Sequence, residues 1–229
     1  MIERILMEIM NLIIAVGQRR KNKQIIEEGI MRIINCEQGS EEWKKIRLGI
    51  PTASNFNMIV TSEGKPSKQA QKYLWKVAGE YITGIPEETY QNFAMSRGIE
   101  MEQEARNFYS MVNDVPIQQV GFCVGEPDIE YGCSPDGLVG TKGMIEIKCP
   151  SLAVHVGYLL NGELPVDYVQ QVQGELLVTG REWNDFISYY PGIKPLIVRV
   201  ERDEKFIKSL KIELEIFCQE LKQVIERIK

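Results

Sequence analysis

The residues best placed to do chemistry lie between Cys133 and Pro150. Cys133-Ser134-Pro135-Asp136-Gly137-Leu138 is followed, after a short turn, by Ile145-Glu146-Ile147-Lys148-Cys149-Pro150. Gly140-Thr141-Lys142-Gly143 has the composition of a hairpin turn between two short β segments, so Asp136 on one arm comes to face Glu146 on the other. Side chains alternate along a strand, which puts Glu146 and Lys148 on one face and Ile145, Ile147 and Cys149 on the other. Two carboxylates and an ammonium therefore converge. Carboxylates brought together repel, and a divalent cation that prefers hard oxygen ligands, magnesium or manganese, relieves the repulsion. A lysine beside such an ion can orient and help to deprotonate an attacking water, while the ion stabilises charge on a phosphoryl oxygen. Phosphodiester hydrolysis is the chemistry that fits. An ordinary surface hairpin bearing a Glu/Lys pair fits the same few residues, so the rest of the chain has to decide.

Three other stretches could contribute. Glu100, Glu102 and Glu104 stand at alternate positions of a helix in Gly98-Ile99-Glu100-Met101-Glu102-Gln103-Glu104-Ala105. Two helical residues turn by about 200°, so one of these acids can face an ion while the others face water. Gln170, Gln171 and Gln173 form a polar cluster among Val169, Val172 and Leu176. An amide there can hydrogen-bond a phosphate or simply be solvated. Arg47 and Ser54 supply a guanidinium and a hydroxyl, both good phosphate partners.

Composition narrows the classes. The chain has 229 residues, with 27 basic against 32 acidic side chains, a net charge of −5. An acidic total argues against a broad basic surface and for a focused groove, if nucleic acid is the substrate. Cys36, Cys123, Cys133, Cys149 and Cys218 are scattered and contain no CxxC pair, which disfavours a disulfide framework or a zinc site and fits a reducing cytoplasm. His155 is the single histidine. Histidine-dependent triads thus lose their usual parts, and His155 itself is expected on the surface of a helix or partly buried.

Residues 1–30 read as an N-terminal extension and 31–229 as a single domain. Ile2 to Val16 is apolar but interrupted by Glu3, Arg4, Glu8 and Asn11, too short and too broken for a membrane span. It forms an extra helix or marks a start assigned too early: Glu27-Glu28-Gly29 could be encoded as a ribosome-binding sequence just ahead of Met31. Helices are expected over about 40–49, 52–59, 68–83, 94–111, 152–160, 166–179 and 203–228 from capping residues and from apolar spacing at threes and fours. Strands are expected over 118–124, 129–133, 137–139, 144–148, 185–190 and 196–200. The result is an α/β or α+β layered architecture, a central mixed sheet flanked by helices.

In this order the motifs resemble a known family, the phage lambda exonuclease type of viral recombinase, or YqaJ-like group, within the PD-(D/E)XK nucleases. The resemblance runs from Glu37 to the C-terminus. It rests on Glu37-Gln38-Gly39 with Trp43, Arg47-Leu48-Gly49 with Thr52-Ala53-Ser54, Gly98-x-x-x-Glu102, the Asp136 and Glu146-x-Lys148 segments, Gln171-Val172-Gln173 and Val200-Glu201-Arg202-Asp203-Glu204-Lys205. It implies a restriction-endonuclease-like fold and a magnesium-dependent exonuclease that degrades one strand of linear duplex DNA from its 5′ end to mononucleotides, leaving 3′ tails. By position, Asp136 and Glu146 would bind metal together with the backbone carbonyl of Ile147. Glu102 would complete the acidic site, directly or through water, and Lys148 would activate the water. Two ions are implied, with manganese able to replace magnesium. Arg47, Ser54 and Ser134 would hold the terminal 5′ phosphate, with Gln171 and, less firmly placed in register, Gln173. A ring-shaped homotrimer, a single-strand annealing protein as partner, and a phage or prophage protein in the bacterial cytoplasm with no membrane association are implied too. Two alternatives stay open: an endonuclease of the same superfamily, and a non-catalytic DNA-binding subunit.

Overall fold

The computed structural model describes residues 31–87, 93–125 and 131–229, the side chains of 93–100 excepted. The extension over 1–30, the first residues of the strand expected over 129–133 and the Glu100 side chain lie outside the described residues. Strands β1 (Arg32–Ile34), β3 (Phe122–Val124) and β4 (Gly132–Cys133) make a small antiparallel sheet in the order β1-β3-β4. Strands β2 (Ile117–Gln118), β5 (Gly137–Val139), β6 (Gly143–Lys148), β7 (Trp183–Ser188) and β8 (Leu196–Glu201) make the main sheet in that order. All its pairs are antiparallel except β6 with β7. Parallel neighbours need a crossover, and helices α4 (Leu152–Asn161) and α5 (Val169–Thr179), joined through a 3-10 turn at Val166–Tyr168, supply it.

The alternation along β6 sorts the two layers. Met144 packs into a core with Leu176 and Val178 of α5, Tyr73, Leu74 and Val77 of α2 (Ala70–Thr83), and Leu210, Leu214 and Phe217 of the long C-terminal α6 (Glu204–Ile228). Ile145 and Ile147 face the opposite way, onto Met101, Ala105 and Tyr109 of α3 (Phe93–Asn113). Residues 143–147 of β6 are all buried, because helices cover both faces. The short α1 (Glu41–Arg47) opens at Ser40, whose hydroxyl accepts from the Trp43 N–H, and the 3-10 turn Ala53–Met58 follows it.

Four expectations need correction. The strand expected over 118–124 is two strands in different sheets, broken at Gly121. A Cβ there would come within 2.4 Å of the Cys36 carbonyl oxygen, so the chain turns against another backbone segment where only glycine fits. The helix expected over 52–59 is 3-10 rather than α. The helix expected over 166–179 begins with that same tighter geometry. His155 is wholly buried, its Nδ1 2.7 Å from Ser188 Oγ and its Nε2 3.1 Å from the Lys194 carbonyl. The strand Arg32–Ile34 had no clear signal in so short a run.

Candidate active site

The β5–β6 hairpin delivers the acids. Its register, carried one residue beyond the pair Gly137 and Ile145, sets Asp136 opposite Glu146. Asp136 Oδ2 accepts a hydrogen bond from the Ile147 N–H. The N–H and C=O of one extended residue leave the strand on the same edge, so the Ile147 carbonyl turns toward Asp136 as well. Glu146 is 3 % exposed. Its Oε1 accepts from Lys148 Nζ at 2.6 Å and from Gln171 Nε2 on α5. Lys148 Nζ also lies 5.3 Å from the centre of the Tyr168 ring, a contact that keeps the ammonium on this face of the sheet. Glu102 reaches the same region from α3, its Oε1 held by Arg106 Nη2 one helical turn on.

Burial, then the charges of Glu146 and Glu102, push the Asp136 carboxyl well above its ordinary range. For Lys148, burial works to lower the pKa, but Glu146 and Asp136 outweigh it and hold the ammonium above its ordinary value. An acid cluster that Lys148 and Arg106 compensate only in part has a use for further positive charge. Among the described residues no three His, Cys, Asp or Glu side chains form a ready metal cage. The donor set fits a hard cation that keeps much of its own water, the habit of magnesium, which binds through one or two carboxylates. The strongest sign is Glu146 Oε2, buried without a hydrogen-bond partner although Oε1 has two. A buried carboxylate oxygen left in this state is costly, and a bound cation removes the cost.

A small cavity of about 90 Å³ adjoins the acids, lined by Arg47, Ser54, Ser134, Gln171 and Glu175 among others. Arg47 lies 3.8 Å over the Trp43 ring and donates to Thr52 Oγ1 at 3.3 Å. Burial lowers its pKa to about 10, so it stays cationic at neutral pH. Trp43 Nε1 donates to Ser134 Oγ at 2.9 Å, fixing that hydroxyl, and Ser54 Oγ lies 3.3 Å from Thr52 Oγ1. Gln171 joins the two halves of the site, since its Nε2 donates both to Glu146 and, at 3.0 Å, to Glu175 Oε1.

Of the residues singled out in the sequence, Asp136, Glu146, Lys148, Glu102 and Ile147 come together, and Arg47, Ser54, Ser134 and Gln171 line the neighbouring cavity. Gln173 does not join them. It is buried, donates to the Glu201 carbonyl at 2.9 Å and accepts from the Asp203 N–H at 2.9 Å, so it fastens α5 to the β8–α6 junction. Glu104 is exposed. Sequence reasoning passed over Glu175, which is buried with Oε2 accepting from Asn184 Nδ2 at 2.8 Å. Burial and then Glu146 push its pKa well up. Its signal was present: a lone acid one turn after Gln171, on an otherwise apolar stretch. Gln38 was also missed as a structural part. It donates to the Val120 and Pro135 carbonyls at 2.8 and 3.0 Å, closing the loop that leads into Asp136.

A mixed sheet that carries Asp136, Glu146 and Lys148 on its central hairpin, between α3 and α5, defines the class: a PD-(D/E)XK-type fold. Comparison with known proteins then gives the family. Residues 42–182 match the model of the YqaJ-like viral recombinase domain. The alkaline exonuclease LHK-Exo from Laribacter hongkongensis is 35 % identical with a TM-score of 0.75, over 82 % of this chain and 96 % of that one. LHK-Exo in complex with dAMP gives 35 % and 0.74, over 83 % and 96 %. A phage-related exonuclease from Haemophilus somnus 129PT shares the fold at 15 % identity, TM-score 0.61, over 79 % and 96 %. No curated protein shows significant similarity. The chain belongs to the YqaJ-like viral recombinase family and has the fold of the alkaline exonucleases.

Proposed function

We propose that this protein is a magnesium-dependent exonuclease that degrades one strand of linear duplex DNA from its 5′ end, releasing mononucleotides and leaving 3′ single-stranded tails. That it is a deoxyribonuclease of the exonuclease kind follows from the family and from the alkaline exonucleases that share its fold. Attack from a 5′ end is supported by one observation: the acid site and a cationic, hydroxyl-lined cavity are adjacent and share Gln171. A cavity of that size beside the reacting acids suits a terminal 5′ phosphate, and an internal cleavage site has no need of one. That a relative binds dAMP, a nucleoside monophosphate, supports mononucleotide release.

Asp136, Glu146 and the Ile147 carbonyl would hold magnesium, with Glu102 completing the acidic set; two ions, replaceable by manganese, belong to this reading. When bound, the metal offsets the carboxylate charge and stabilises negative charge on the scissile phosphate. Lys148 Nζ, fixed by Glu146, orients the attacking water. Gln171 holds Glu146 Oε1 and leaves Oε2, which has no hydrogen-bond partner in the protein, for the ion. Arg47 and the hydroxyls of Ser54 and Ser134 bind the terminal phosphate and so set which bond is reached. The reading extends to a homotrimeric ring around DNA, a single-strand annealing protein as partner, and action in the bacterial cytoplasm. The net charge of −5 supports a ring, since a topological link does not require overall attraction to DNA. Among the described residues no helix is long and apolar enough to cross a membrane.

The test is digestion of a linear duplex labelled at either end, beside a covalently closed circle of the same sequence. Magnesium-dependent loss of a label from the 5′-phosphorylated end, with the circle intact, is expected. Cutting of the circle would move the protein to the endonucleases, and no cutting of either would make it a binding subunit. Lys148→Ala should keep DNA binding and lose hydrolysis by orders of magnitude, because the lysine acts mainly in the transition state.

A further inference from the structure

Arg106, which holds Glu102, touches a second member of the site as well. It projects from α3, is 8 % exposed, and borders a polar cleft of about 570 Å³ together with Glu102 and Asp136. Its Nη2 pairs with Glu102 Oε1. Its Nε donates to the Asp136 backbone carbonyl at 2.8 Å, and its Nη1 to Gln103 Oε1 at 2.8 Å. With the Gln119 amide turned to accept, Gln119 Oε1 is a further partner of Nη1 at 2.7 Å. All three guanidinium nitrogens are therefore engaged within the protein. Arg47 is different: its guanidinium has one hydrogen-bond partner among the described residues, Thr52, and borders a cavity. An arginine meant for a DNA phosphate keeps most of its donors available, whereas Arg106 has four of its five N–H groups taken within the protein and is a brace.

The brace lies at a point that needs one. Glu102 belongs to the helix on one face of the main sheet, while Glu146, Lys148 and Gln171 meet on the other. Asp136 lies where β5 begins, one residue ahead of that strand. Apolar packing of α3 on Ile145 and Ile147 is non-directional, and the directional tie from Tyr109 Oη to Asp185 Oδ2 lies about two helical turns beyond Glu102, so neither fixes the Glu102 carboxylate itself. A fork that grips the Glu102 carboxylate and the Asp136 carbonyl together does. We propose that Arg106 is a positioning residue that sets the separation of Glu102 and Asp136, and through it the affinity of the acidic site for its divalent ions. The proposal rests on the metal-dependent nuclease reading above.

Arg106→Lys is the informative variant, since it keeps the charge and can reach Glu102 or the Asp136 carbonyl but cannot bridge both. Groups that orient metal ligands typically contribute about 10- to 100-fold in affinity or activity. Arg106→Lys should therefore lower kcat by roughly that factor while KM for duplex DNA stays within about twofold. It should also weaken Mn2+ binding to the DNA-free protein, measured by electron paramagnetic resonance, by about tenfold or more. The Glu102→Gln variant closes a double-mutant cycle: if Arg106 acts through Glu102, adding Arg106→Lys to Glu102→Gln should cost much less than in the wild-type background. Unchanged kcat and Mn2+ affinity in a folded Arg106→Lys protein would overturn the proposal, as would a rise in KM alone, which would make Arg106 a DNA contact. If Arg106→Lys fails to fold, wild-type Mn2+ affinity in Glu102→Gln overturns it, because the acid it is said to position would then be idle. A wild-type protein that binds no Mn2+ would instead overturn the metal-dependent reading itself, and the proposal with it.

Discussion

Arg47 is held from two sides before any ligand arrives. The Trp43 ring lies beneath its guanidinium and the Thr52 hydroxyl takes one of its N–H groups, so little side-chain freedom is left to lose on binding. The same indole fixes Ser134 through its N–H. One aromatic side chain thus orders both a cation and a hydroxyl of the cavity, which gives the two a separable test. Arg47→Ala removes a charge-assisted contact worth about 1.5–3 kcal/mol, a factor of roughly 10 to 100. It should abolish the preference for a 5′-phosphorylated end over a 5′-hydroxyl end. Trp43→Phe keeps an aromatic face under Arg47 but loses the hydrogen bond to Ser134, about 1 kcal/mol or roughly fivefold, together with some packing against Ile50 and Phe122. It should reduce the preference without removing it. Equal losses on the two ends for either variant would show that the cavity does not read the terminal phosphate.

The elements that form this cavity depend on one close approach. Gly174 of α5 faces Phe56 of the 3-10 turn, and a Cβ at residue 174 would lie 2.3 Å from that ring. Phe56 is fully buried and has nowhere to go. Gly174→Ala should therefore push α5 off the turn at about 1–3 kcal/mol, which for a chain of this size lowers Tm by about 2–4 °C per kcal/mol. Because Gln171 and Glu175 ride on α5 while Arg47, Thr52 and Ser54 are on the other side, 5′-phosphate preference should fall with stability. An unchanged preference in the destabilised variant would mean that the two halves are positioned independently. Elements of this kind were unequally legible in the sequence. The β5–β6 hairpin could be read because its turn, its alternation and its acids all agree on one register. The break at Gly121 could not, since the reason for it is the Cys36 backbone, eighty-five positions away. Period-2 patterning inside 118–124 looks the same whether one sheet or two receives it. His155 was misplaced for a similar reason: its two partners, Ser188 and the Lys194 carbonyl, come from the far side of the crossover. Gln171 and Gln173 are two residues apart, and only the helix phase against β6 and β8 separates the one beside Glu146 from the one bound to Glu201.

For the whole molecule, the acids couple folding to metal. Asp136, Glu146 and Glu175 are drawn into one region by packing from both faces of the main sheet, and burial together with mutual repulsion pushes the pKa values of Asp136 and Glu175 up. In the metal-free protein this region opposes folding, and Lys148 offsets only part of it. A cation that binds the folded chain and not the unfolded one adds stability by mass action, about 2.7 kcal/mol when free metal is a hundred times its Kd. Removing a carboxylate has the opposite sign in the two conditions. Asp136→Asn relieves repulsion among the remaining acids and also removes a metal ligand. With a chelator present, Asp136→Asn should melt at or above the wild-type temperature. In saturating magnesium the order should reverse, with wild type gaining several degrees and the variant little. Thermal melts of both proteins, with chelator and with magnesium, read the crossing directly. Parallel curves in the two conditions would mean that the hairpin acids do not hold the ion, whatever the protein does to DNA.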